Sequence, residues 1–146
     1  MADETCYLYP IHEPTRVFSG YASETIQAGG FVKVTDNDDA VSATSGFAPS
    51  DVLVSQANAD GDDQFCVGMA LVDATVGQEV SVAMNGVFVV KSSGNIGSGV
   101  SCQQDDSGES PASVMATKDT EEEYAIGKTL TSASADGKYM VFALNV

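Results

Sequence analysis

The strongest constraint on this chain is an internal repeat. Gly77 to Asn85, GQEVSVAMN, aligns position for position with Gly137 to Asn145, GKYMVFALN. Upstream, Gly68 and Leu71 answer to Gly127 and Leu130 with one residue inserted between, and Ile26-Gln27-Ala28-Gly29 is echoed by Ile96-Gly97-Ser98-Gly99. Two similar strings in the same order read as two related units that share one core. Within the first copy Val80, Val82 and Met84 alternate with Ser81 and Ala83, the period of two that marks a half-buried strand. Val87 to Val90 is a run of β-branched and aromatic residues suited to a more deeply buried strand.

The rest of the chain carries the same signal. Phe31 to Val34 alternates after the turn at Ala28-Gly29-Gly30, and Val52 to Val54, Val100 to Cys102 and Val114 to Ala116 are short apolar runs between polar segments. Tyr124 to Gly127 opens the second unit, and the last strand runs through Val146. No segment holds the i, i+3, i+4 spacing of an amphipathic helix beyond two turns. The fold expected is all-β, a small antiparallel β-barrel or two-sheet sandwich built from two related β units, with an extended N-terminal arm. The β domain spans 21–146.

Residues 1–20 form the arm. Pro10 and Pro14 interrupt any ladder, yet Tyr7, Leu8, Tyr9, Ile11, Val17 and Phe18 are too apolar for an idle tail. An arm of this kind is expected to lie along another surface, its own subunit's or a neighbour's.

Charge narrows the partners. With 21 acids against 6 bases the chain carries a formal charge of −15, which repels nucleic acid and anionic lipid. No apolar run is long enough to span a membrane, and the acidic Met-Ala-Asp-Glu start lacks the features of a signal peptide. Apolar residues remain plentiful and patterned, so the expectation is a folded domain with an acid-coated surface rather than a disordered chain. In concentrated salt the Debye length falls to about 3 Å, self-repulsion is screened and hydrated carboxylates keep the surface soluble, which suits a halophilic source.

Residues able to do chemistry are sparse. His12, the one histidine, sits in the proline-flanked arm and reads as a surface residue. Cys6, Cys66 and Cys102 form no CxxC pair, and Cys66 falls in an apolar stretch where a thiol behaves as a small buried hydrophobe. No nucleophile elbow, phosphate loop or dinucleotide fingerprint occurs. The acidic strings at 36–39 and 58–63 offer hard oxygens of the kind calcium takes, but neither matches the twelve-residue calcium loop. The segment 103–113, QQDDSGESPAS, is the most polar and reads as a surface loop. No catalytic residue, metal site or cofactor is expected, and the chain does not read as an enzyme.

Three stretches carry a resemblance: Gly29 to Lys33, Val67 to Ala74 and Gly77 to Val87, with Ile126 to Leu130 and Ala133 to Leu144 closing it. They resemble the consensus run of the capsid cement, or head decoration, proteins of tailed phages and haloarchaeal tailed viruses, over about residues 25 to 146. The resemblance implies a small β domain, usually a homotrimer, on the outside of an icosahedral capsid. It implies binding to the major capsid protein that stabilises the shell, and the three widely spaced cysteines fit synthesis in a reducing host cytoplasm. Tyr7, Leu8, Tyr9, Ile11 and Phe18 of the arm are then the expected capsid or intersubunit contacts. The alternative is a β-rich receptor- or glycan-binding module of a viral fibre or tail, which would need exposed aromatics on its loops.

Overall fold

In a computed structural model the described residues are 8–35, 52–56, 66–105, 113–117 and 124–146. They form eleven strands: β1 (Pro10–His12), β2 (Val17–Ala22), β3 (Phe31–Thr35), β4 (Leu53–Gln56), β5 (Cys66–Ala70), β6 (Glu79–Ala83), β7 (Asn85–Ser92), β8 (Ser101–Gln104), β9 (Ser113–Ala116), β10 (Gly127–Thr129) and β11 (Tyr139–Asn145). No α-helix occurs among the described residues. The first strand of the domain, β2, begins at Val17, four residues ahead of the Tyr21 at which β patterning becomes legible in sequence.

The repeat is realised as two closed barrels of identical connectivity. The first runs β2-β4-β3-β5-β6 and back to β2, with β2 and β4 parallel and the other pairs antiparallel. The second runs β7-β9-β8-β10-β11 and back to β7, with β7 and β9 parallel and the rest antiparallel. β1 is added outside this closed set, on β7. β6 passes through Met84 directly into β7, so one continuous run of chain leaves the first barrel and founds the second.

The equivalence extends to single hydrogen bonds. Ile26 N–H donates to Ala74 O at 2.8 Å, as Ile96 N–H does to Ala133 O at 2.9 Å. Ala22 N–H reaches Gln78 O at 2.9 Å where Ser92 N–H reaches Lys138 O at 2.8 Å. Gly77 and Gly137 hold φ of 85° and 76°, a left-handed conformation that glycine adopts at little cost, and both N–H groups turn back onto β2 and β7 respectively.

Each barrel closes on its own interior, so the single core expected from sequence divides into two clusters. Ala22, Ile26, Val32, Val54, Ala70, Ala74, Val80 and Val82 fill the first. At the matching positions the second has Ser92, Ile96, Cys102, Val114, Thr129, Ala133, Met140 and Phe142, all buried. The two polar substitutes are bonded: Thr129 Oγ1 donates to Gly97 O at 2.7 Å and accepts from Val100 N–H at 3.0 Å, and Ser92 Oγ donates to Ala135 O at 2.9 Å. Burying Phe88 and Phe142 in the second barrel contributes on the order of 1.5–3 kcal/mol each.

The barrels are joined by side chains. Phe31, Met69 and Ala83 alternate with interior residues and so point out of the first barrel, yet they are at most 1% exposed because they belong to the second barrel's cluster. A polar latch closes the corner between β1 and β2. Asn85 Oδ1 accepts from Thr15 N–H and Arg16 N–H, both at 2.9 Å, and its Nδ2 donates to Thr15 Oγ1 at 2.7 Å. Arg16 Nη2 donates to Asn145 Oδ1 at 2.6 Å, binding the lead-in to β2 to the end of β11.

One sequence expectation is corrected here. Gln103 and Gln104, at the start of the polar segment expected to be a surface loop, lie in β8 with no exposed surface, and Ser113 begins β9. β8 is flanked by both β9 and β10 in a closed barrel, and that enclosure overrides local polarity. Residues 106–112 of the segment are outside the described part.

Two predictions follow from the repeat. A Cβ at Gly68 or Gly127 would collide with the carbonyl oxygen of Ala83 or Ala143 and with Val82 or Phe142 at 2.8 and 2.7 Å. Gly68→Ala and Gly127→Ala should each destabilise by about 1–3 kcal/mol or more in denaturant titration. Gly97→Ala, whose nearest neighbour would be Val100 Cγ2 at 3.6 Å, serves as the tolerated control. Burial pushes the Cys102 thiol up to about 12 from 9.0. Its contribution to stability is complete below pH 9.0 and is lost as pH rises from there toward about 12, because the unfolded thiol ionises first. Cys102→Val, which copies the first barrel's Val32, should flatten that alkaline loss in melting curves taken across the window.

Candidate interaction surface

Among the described residues no group of three or more His, Cys, Asp or Glu side chains converges to hold a metal. The acidic strings at 36–39 and 58–63 lie outside the described residues. His12 is exposed on β1, and Cys66 and Cys102 are buried free thiols. Cys102 stands in the position of Val32, so it packs as a small hydrophobe rather than as a nucleophile. Cys6 is outside the described part.

Two open depressions on the described surface are of note. One, of about 310 Å³, lies at the end of the first barrel among Thr25, Gln27, Asp73, Thr75 and Gln78. Its carboxylate is already engaged, since Asp73 Oδ1 accepts from Ala28 N–H at 2.8 Å. The other, of about 350 Å³, lies on the flank of the second barrel among Ser101, Ala125, Gly127, Lys128, Ala143 and Asn145. Neither of these two brings together an acid, a base and a nucleophile.

The arm residues fall into three groups. Leu8 is half-buried against the second barrel's cluster, and Phe18, in β2, is half-buried against the first barrel's. Tyr9 and Ile11 turn outward, at 63% and 45% exposure. Tyr7 lies outside the described residues. β1 is the edge of the six-stranded sheet, held by Tyr9 O, which accepts from Val89 N–H at 3.0 Å. Pro10 leaves that edge without one N–H, a common protection against indiscriminate strand pairing. Sequence reasoning found Tyr9 and Ile11 through apolar composition in a Pro-rich stretch. It missed Leu130 and Tyr139, exposed at 53% and 57%, because their outward direction depends on which barrel face is closed.

Charge is distributed unevenly. Of the 21 acids only Glu13, Glu24, Asp73, Glu79, Asp105 and Asp136 lie in the described residues, beside five of the six bases, Arg16, Lys33, Lys91, Lys128 and Lys138. The barrels are thus close to neutral, and the other fifteen acids belong to 1–7 and to the segments between β3 and β5 and between β8 and β10. The acid coat expected over the domain as a whole is, in sequence, a property of those segments.

The fold has a known parallel. The base of the head fibre of bacteriophage phi29 (head fiber gp8.5 N base) superposes with a TM-score of 0.53 at 16% identity, covering 89% of this chain and 93% of that one, which shows a shared fold. No curated protein matches the sequence. The family model of the phage cement proteins matches residues 21–144, both barrels from within β2 to within β11. The match spans most of the chain, and the chain belongs to the phage cement protein family.

Proposed function

We propose that this chain is a head decoration subunit. It binds the outside of the icosahedral capsid of a tailed virus, contacts the major capsid protein and stiffens the shell. The family match over 21–144 carries the reading. It is supported by the edge strand β1, with Ile11 in it and Tyr9 just before it turned outward. Extended edges and apolar side chains supply the adhesion such a protein needs, and many copies on one shell gain by avidity. The likeness to a head fibre base is one of fold and does not favour a receptor- or glycan-binding role.

Two finer statements belong to this proposal. The subunit is a homotrimer, and its host is a halophilic archaeon, with synthesis in the host cytoplasm. The second rests on a formal charge of −15 held mostly outside the barrels, where screening by molar salt relieves repulsion between segments.

Purified protein should bind heads assembled without it. Tyr9→Ser with Ile11→Ser should weaken that binding by about tenfold while the melting temperature holds, since both side chains are exposed; undiminished binding removes the arm's role. The melting temperature should rise between dilute buffer and molar potassium chloride, and sedimentation in molar salt should give three chains per particle. A melting temperature indifferent to salt removes the halophilic reading, and a monomer removes the trimer.

A further inference from the structure

The two barrels act as controls for each other, and they differ on one outward face. Of the outward pairs across β2 and β6, Val17 with Ala83 recurs in the second barrel as Val87 with Ala143, while Ser19 with Ser81 and Tyr21 with Glu79 do not recur. At the same positions across β7 and β11 the second barrel has Val89 with Val141 and Lys91 with Tyr139. Serines and a glutamate thus occupy these positions in a barrel of the same connectivity. Fold does not demand the valines and the tyrosine, and water-facing positions do not favour them.

The valine pair sits within a longer apolar row. Tyr9, just before β1, is hydrogen-bonded through its carbonyl to Val89, and Leu130, just past β10, donates its N–H to Val141 O at 2.8 Å. Tyr9, Val89, Val141 and Leu130 thus form a row across β7 and β11 and the chain flanking them on either side, with Tyr139 beside them. Tyr9, Leu130 and Tyr139 are each more than half exposed.

Lysines border this row. Lys91 lies over the Tyr139 ring, 5.7 Å from its centre, Lys138 precedes Tyr139, and Lys128 pairs with Ala143 one row away. The first barrel has Tyr21, Met69 and Gln78 at these positions, so three of the chain's six bases were placed here and not in its twin. One described acid, Asp105, lies near the Lys91 end of this face: its N–H donates to Ser113 O at 3.0 Å, and Ser113 pairs with Lys91. Asp136, the closest in sequence, accepts from Gly94 N–H at 2.9 Å.

We propose that the outer face of β1, β7, β11 and the end of β10 docks onto the capsid, on an apolar patch bordered by acidic side chains. This rests on the decoration reading and names the surface that performs it, with the arm as one side of a larger patch. Face-to-face pairing of two copies by a twofold would set the same lysines against one another, which disfavours that use of the face; a contact between copies of any other kind is the outcome the sedimentation reads.

The test exchanges one barrel's face for the other's. Val89→Ser with Val141→Ser, and separately Tyr139→Glu, copy residues the first barrel carries; Tyr139 is exposed, so its variant folds even where the double variant does not. Binding of each full-length variant is measured on heads assembled without this protein, with sedimentation alongside. The expected result is half-saturation at about tenfold or higher concentration with oligomeric state unchanged. Wild-type binding by both variants overturns the docking face and leaves the decoration reading intact. A changed oligomeric state with unchanged head binding also overturns it, assigning the face to contacts between copies. Failure of the wild-type protein to bind heads overturns the decoration reading, and this inference with it.

Discussion

The structure depends on a close approach of backbones made twice. At Gly68 and again at Gly127 the chain passes so near the carbonyl of the facing strand, Ala83 or Ala143, that no side chain fits. Small five-stranded barrels have interiors only wide enough for one set of side chains. The glycines allow β5 against β6, and β10 against β11, to draw in and close that interior. Once the approach is fixed, so is the register, and with it the inward set: Ala70, Val80 and Val82 in one barrel, Thr129, Met140 and Phe142 in the other. The conserved internal geometry explains why the two halves keep the same hydrogen bonds while sharing few side chains.

Duplication leaves a free choice wherever a residue points outward, and the halves used it differently. Phe31, Met69 and Ala83 of the first barrel are spent on the junction, where they join the cluster of the second. The matching Ser101, Lys128 and Ala143 of the second border an open depression instead. Across the other strands the difference reverses, with serines on the first barrel and valines on the second. The first barrel is anchored by its outer face to its twin, while the second leaves Leu130 and Tyr139 exposed on its own. Charge follows the same division of labour, because the near-neutral barrels leave solvation to the acidic segments between strands.

Much of this was legible in sequence, and the limits have physical causes. The repeat gave both units, because glycines at close approaches and turns have no substitute and so survive as matched strings, such as Gly77 with Gly137. Strand positions followed from alternation at Phe31 to Val34 and Val80 to Met84. Closure was not legible, because alternation says that a strand has two faces but not whether the sheet meets itself; the single shared core became two for that reason. Gln103 and Gln104 were misjudged because a polar residue enclosed by neighbouring strands looks the same in sequence as one in a loop. The arm's apolar residues stood out, but their partners Val89 and Val141 read as ordinary strand valines until the first barrel showed serines in their place.

The central claim is that the second barrel is the adhesive half of a duplicated scaffold. Electron microscopy of decorated heads, at a resolution that traces strands, tests it most directly. The account predicts density in which β1, β7 and β11 lie against the shell, with Tyr9, Val141 and Tyr139 covered and the Ser19–Ser81 ladder of the first barrel facing solvent. A map in which the first barrel's ladder meets the capsid, with Val89 and Val141 open to solvent, would contradict it.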